Sequence, residues 1–562
     1  MTNNADQKKG LGRFFKSPDS IFELIVTGGF LALSLGVLLY YITGPALGYF
    51  HSDCADSLIW AQVMIESGDI LSESFSYAAI LPFGAPLWML PILKIFGFTM
   101  KAQTISMCVF TVIFVLSALS MFRAMKWKYS LCSVATFCLS MILSSSVKLR
   151  EIMWEHVIYY SLGILFLIIM LNLMFRLCDK LSAFPDGQRS DKIKAIVYAA
   201  LLFVMCAGAA TDGFQVIALT SVPVIAALIA YTIFNEGEKL NSDNAIKRYL
   251  ICAVIGVGTV AGMILLSVIT KGGQISAGYG DAYSTWSPIG EWKANAELFI
   301  PQIFTLVGVN VYPAEALFSG KSILMFLRLI GTLILLICPF VLLFRSISQK
   351  SSLDKYSRMV AWAHLVVAAA VMVGFICGRL SNANWRLTPL LGSAVMATLV
   401  LIKNTLSDRI VVRRVGVVLA AVLLCFSLLS ATEILKMDRD FGKVDPLQSV
   451  ADTLEEKGYD RGYATFWNAA ETTLRSDSAV TVITVTADHS GVNKRPYQTM
   501  DYWFDDVAGQ EEYFLILDQA EYNSVYGGAY WRNLTSRVQV IDEFACEGYH
   551  IVVFDGNIFS NK

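Results

Sequence analysis

Charge is what this chain has least of. Only 16% of its 562 residues are charged, against about a quarter in a soluble domain, while 55% are hydrophobic. A chain so poor in charge cannot cover a water-facing surface, and its apolar runs reach spanning length, so it reads as a polytopic membrane protein. The net charge of −1 lacks a basic excess and argues against a nucleic-acid role. Eleven Cys include no CxxC and no Cys/His cluster at zinc spacing. Most lie inside apolar runs, where Cys behaves as a small hydrophobe. No small-residue cleavage site follows the long run from Ile21, which reads as a retained anchor rather than a signal peptide.

Runs able to cross about 30 Å of hydrocarbon fall near 21–42, 102–122, 130–147, 157–175, 194–211, 214–234, 250–269, 322–344, 359–378, 388–403 and 411–431, about eleven spans. The stretch 79–98 is interrupted by Pro82, Gly84, Pro86, Pro91, Lys94 and Gly97, and reads as an interfacial or re-entrant segment. With that stretch left out, Lys8, Lys9, Arg13 and Lys16 share a side with Arg123, Lys126, Lys128, Arg176 and Lys180. Arg345, Lys355, Arg358, Lys403, Arg409, Arg413 and Arg414 join them. The positive-inside rule then makes residues 1–20 a cytoplasmic tail. The loop 43–101 and the C-terminus fall outside, on the far face of the cytoplasmic (plasma) membrane.

Residues 21–432 thus form the membrane domain, and 433–562 a small extracytoplasmic domain. In the latter, Gly462–Phe466, Val480–Val485, Tyr513–Leu517 and His550–Phe554 read as strands, and 446–457 as a helix capped by Asp445. An α/β domain follows. It carries no Gly-rich phosphate loop, GxSxG or HExxH, so catalysis belongs elsewhere.

The loop after the first span holds His51-Ser52-Asp53-Cys54-Ala55-Asp56, then Trp60, Glu66, Asp69 and Glu73. Ionisable groups gathered beside lipid mark a substrate or ion path. Asp53 and Asp56 share a helix face; paired acids suit general-base work on a hydroxyl, or a divalent cation, Mg or Mn. Alternatively, one of them caps a helix starting near Ala55. The chain calls for no other cofactor. A second loop carries Lys148, Arg150, Glu151, Trp154, Glu155 and His156, a set suited to substrate binding or to an interfacial salt-bridge cluster of Arg150, Glu151 and Glu155. Asp212 at a span end reads as a cap of the helix from Gly213. Arg379 and Arg386, between two spans, suit bidentate phosphate binding or snorkelling to headgroups. The loop 270–320, with Tyr279, Tyr283, Trp286 and Trp292, offers aromatics for sugar stacking or for an interfacial belt.

This arrangement resembles the GT-C class of integral-membrane glycosyltransferases, of the mannosyltransferase and aminoarabinose-transferase kind, which draw sugars from polyprenyl-phosphate donors. Asp53, the helical stretch to Gly68, Tyr77, Leu81-Pro-Phe-Gly-Ala-Pro-Leu87 and Ile95-Phe-Gly97 occupy that class's motif positions in order. Asp53 is followed by Cys54 where the class often has Glu, with the second acid displaced to Asp56. The resemblance implies a catalytic Asp53 or Asp56, a second-loop acid at Glu151 or Glu155, and a phosphate contact at Arg386 assisted by Arg379 or Lys271. It also implies inversion at the anomeric carbon, and transfer to a glycan, lipid or protein acceptor on the outer face. Two other readings stand beside it: a lipid-linked-sugar flippase or transporter, and a non-catalytic component of a polysaccharide assembly complex of the cell envelope.

Overall fold

The computed structural model describes residues 18–182, 189–234, 239–270, 285–310, 315–348, 352–379, 383–442 and 445–560. Lys271 and the aromatic stretch 278–283 lie outside them. Among the described residues, ten helices are long and apolar enough to cross a membrane. They are Ser20–Gly48, Met100–Ala124, Tyr159–Ser182, Arg189–Thr211, Phe214–Phe234, Asp243–Ile269, Gly320–Ile347, Lys355–Cys377, Asn384–Leu406 and Ile410–Leu435. A pair bent by 115°, Tyr129–Ile142 and Val147–Glu155, makes an eleventh if it counts as one span.

The protein is therefore a multi-pass membrane protein, with one departure from the expected spans. The run 130–147 stops at Ile142. Ser144 Oγ bonds back to Ser140 O at 2.7 Å, and Ser146 Oγ caps a new turn through Leu149 N at 3.1 Å. Consecutive serines offer the backbone such partners and end the helix. The segment 79–98, expected not to cross, holds the short helix Ala85–Phe96 with Pro91 inside it. Pro86 sits in its first turn, where a missing N–H costs nothing. At 12 residues it covers only about 18 Å at 1.5 Å per residue, so it lies against the bundle rather than across it.

Small residues set the closest helix contact. A Cβ on Gly262 would fall 2.0 Å from Ala207 O and one on Gly258 2.8 Å from Phe203 O, so the helices Arg189–Thr211 and Asp243–Ile269 touch through a small-xxx-small face.

The two ends of the bundle differ. At one end Lys126 and Lys355 flank Asp179 at 3.2 and 2.8 Å, Lys403 meets Asp354 at 3.3 Å, and Arg345 meets Asp408 at 3.0 Å. The other end carries the segment 49–99, the bend 143–158 and a sheet domain. Its strands are β1 Arg461–Thr465, β2 Thr481–Asp488, β3 Gly491–Lys494, β4 Tyr513–Asp518, β5 Val540–Cys546 and β6 Tyr549–Phe554, in the order β3-β2-β1-β4-β6-β5. β1 runs parallel to β2 and β4, and the helix Phe466–Arg475 makes the β1–β2 crossover. Asp445 caps Pro446–Lys457 by accepting from Leu447 N at 2.8 Å, as its sequence predicts. β3 and β5 had no distinct signal in the sequence.

Candidate active site

The helix Ser52–Ser67 begins with His51 in extended conformation and stops at Gly68, whose φ of 76° is the left-handed C-terminal signal. Neither Asp caps it. Asp53 lies in the first turn, where the helix dipole favours a carboxylate, and Asp56 follows on the same face. Asp53 is half-buried and Asp56 buried.

Four pieces of chain meet around Asp53. His51 Nε2 lies 3.4 Å from Glu151 Oε1, and Lys148 Nζ reaches both Glu151 oxygens at 2.7 and 2.6 Å. Lys148 also sits 5.1 Å from the ring centre of Trp385, in the turn Asn384–Leu387 that carries Arg386. From the sheet domain, Gln498 Nε2 donates to Asp56 Oδ1 at 2.8 Å and Arg495 donates to Gln498 at 3.1 Å. Exposed Trp467 stands 6.2 Å from the His51 ring, its carbonyl held by Ser52 Oγ at 3.1 Å.

Electrostatics divides the two acids. Burial, with the charge of Glu151, raises the Asp53 carboxyl above its usual range, against His51, Arg495 and Lys148. Burial and then the like charge of Asp53 drive Asp56 much higher, against Gln498, Arg495 and His51, so Asp53 ionises more readily than Asp56. Burial opposes charge on His51, but Glu151, Asp53 and Glu155 outweigh it and raise its pKa. His156 is neutral: burial, reinforced by the His51 charge, pulls it down to about 3.

Several expectations change. Glu151 and Glu155 have different partners: Glu151 meets His51 and Lys148, while Glu155, at the end of the π-turn Glu151–Glu155, is buried. Glu155 points inward, where Tyr41 OH donates to it, and lines a small apolar cleft between Ile42–Phe50 and Met100–Met107. Arg150 joins neither acid; it donates to Ser144 O at 3.0 Å and stacks on Tyr41 at 5.5 Å. Asp212 caps no helix of its own. Its Oδ1 accepts from Phe83 N at 3.0 Å, ahead of the helix Ala85–Phe96. Arg386 reaches the Tyr160 hydroxyl, while Arg379 is exposed at the end of Lys355–Cys377.

Among the described residues no three His, Cys, Asp or Glu side chains gather closely enough to hold a metal ion. Lys148 and His51 supply positive charge beside Glu151 and Asp53.

No protein-family model matches the sequence, and no curated protein matches it. Among solved structures the chain is similar to ArnT from Cupriavidus metallidurans bound to undecaprenyl phosphate, at 12% identity and a TM-score of 0.55. The match covers 95% of this chain and 98% of that one. The fold is the GT-C glycosyltransferase fold. The same ArnT in its apo state aligns at a TM-score of 0.48 with 12% identity, covering 91% of this chain and 94% of that one. The archaeal oligosaccharyltransferase AglB from Archaeoglobus fulgidus, in complex with an inhibitory peptide and a dolichol-phosphate, aligns at 0.40 with 10% identity, covering 82% and 64%. A GT-C bundle with a sheet domain at one end is what the sequence resemblance led us to expect.

The residues missed from sequence are those that come from afar. Tyr41, Trp467, Arg495 and Gln498 carry no local motif that ties them to the acids.

Proposed function

We propose that this protein is a membrane glycosyltransferase that moves a sugar from a polyprenyl-phosphate donor to an acceptor hydroxyl. One observation carries the reading: a half-buried Asp53 flanked by His51, Lys148 and Arg495, within a fold shared with an enzyme solved with undecaprenyl phosphate.

In this mechanism Asp53 takes the proton of the acceptor hydroxyl as its oxygen attacks the anomeric carbon. The bond from that carbon to the phosphate oxygen breaks, and the anomeric centre inverts. Lys148 and Arg386, joined through Trp385, neutralise the leaving phosphate. Glu151 orients His51 and Lys148, and Asp53, which ionises more readily than the deeper Asp56, acts as the base. Asp53 and the sheet domain face the outside of the cytoplasmic membrane, because Lys126, Lys180, Lys355, Lys403 and Arg413 gather towards the opposite end. A reporter fused after Lys562 tests that orientation and should read as external; a cytoplasmic signal would refute it.

The function is tested by incubating purified protein with a panel of polyprenyl-phosphate sugars and acceptor glycans. Acceptor-dependent release of polyprenyl phosphate is the expected result. No release from any donor would refute the reading.

A further inference from the structure

The sheet domain does more than sit beside the acids. The segment between β3 and the turn Asp501–Phe504 leaves the sheet and lies along the first loop. Met500 pairs with Phe75 in an antiparallel bridge, and Gln498 N donates to Ser76 O at 2.6 Å. Gln498 itself has a φ of 59°, in the left-handed region that side chains rarely adopt. Such strain persists only where surrounding contacts dictate it, and it concentrates at functional sites. Here the contacts are visible. Arg495 is buried with its guanidinium 4.0 Å from both the Phe466 and Tyr497 ring centres, and it donates to the Gln498 side-chain oxygen at 3.1 Å. That fixes which end of the Gln498 amide is the oxygen, so its nitrogen is the end that donates to Asp56 Oδ1 at 2.8 Å. Both partners are buried.

A second clamp keeps this geometry rigid. Arg475, on the helix Phe466–Arg475, donates to Leu47 O and to Asp445 at 2.8 Å and to Glu471 at 3.1 Å. The helix bearing Phe466, which stacks on Arg495, is thereby tied to the end of the first span.

We infer that the sheet domain completes the catalytic centre, and that Gln498 is a positioning residue that fixes the Asp56 carboxyl and, through it, the acid pair with Asp53. The inference rests on the glycosyltransferase reading and deepens it. Gln498 contacts neither donor nor acceptor; it acts by holding one oxygen of Asp56, which leaves the carboxyl a single orientation behind the base. Misplacing a catalytic group by about 1 Å is enough for a large rate loss.

The test is a double-mutant cycle on the full-length protein with Gln498→Leu and Asp56→Ala, read as polyprenyl-phosphate release at saturating donor and as the midpoint of thermal unfolding. Gln498→Leu alone should lower kcat at least about 10-fold and up to the roughly 10²-fold that a 1 Å misplacement can cost, with the donor KM unchanged. In the Asp56→Ala background the same change should do nothing further to kcat, and it should lower the unfolding midpoint less than in wild type, because only the Arg495 contact is then lost. If Asp56→Ala leaves no measurable turnover, the unfolding cycle and the rate of Gln498→Leu decide. A wild-type rate for Gln498→Leu, or losses that simply multiply in the double variant, would overturn the inference while leaving the function intact. No release by the wild-type protein from any donor would remove the function itself, and the inference with it.

Discussion

His51 Nε2 lies 3.4 Å from Glu151 Oε1, and that pair ties the first segment of the sheet-domain end to the bend after Ile142. The imidazole is held charged above its ordinary value of about 6.5, and its charge in turn pulls against protonation of Asp53. Transfer therefore needs Asp53 ionised and His51 protonated. The rate should rise with pH through the raised Asp53 value and fall as pH passes through the raised His51 value. His51→Asn should abolish the alkaline limb. It should also move the acid limb to higher pH, because a cation that lowers Asp53 is gone. A pH profile of kcat/KM checks this, and an unchanged profile in the variant would refute the pairing.

Arg386 separates phosphate binding from headgroup snorkelling. A guanidinium that grips phosphate through two parallel hydrogen bonds is not replaced by an ammonium, whereas both side chains snorkel. Arg386→Lys should need severalfold more polyprenyl-phosphate donor for half-maximal rate, with little change in thermal stability. Equal donor dependence would move the phosphate contact to Lys148 alone.

Asp212 makes a prediction about stability. Burial pushes its carboxyl up to about 8, against the amides of Phe83 and Gly84. The folded state thus holds a proton that the unfolded chain releases near the ordinary value of about 3.9. The stability it adds is complete below that value and is lost as pH rises to about 8. Asp212→Asn keeps an acceptor for Phe83 N and should abolish that fall without harm at pH 7. Asp212→Leu strands the amide and should cost about 1–3 kcal/mol. Thermal unfolding between pH 5 and 8 distinguishes the two.

Much of the fold was legible because it is written at short range. Spans follow from apolar runs, and the sequence placed Asp53, Asp56 and Leu81-Pro82-Phe83-Gly84 in the order the GT-C resemblance requires. The parts that failed depend on geometry or distance. Glu155 looked free to bind substrate because Tyr41, its partner, is 114 residues away. Asp212 looked like a local cap because Phe83, its partner, is 129 residues away. Gln498 and Asp56 are 442 residues apart, and nothing in either segment announces the other.

The central claim is that Asp53 is the base. Asp53→Asn keeps the shape and the helix-start environment but cannot accept the acceptor's proton. The decisive measurement is the rate of acceptor-dependent polyprenyl-phosphate release by Asp53→Asn and wild type, at matched expression and thermal stability. A rate lower by about 10²-fold or more, the scale of a lost general base, is the predicted result; turnover within a fewfold of wild type would contradict the account.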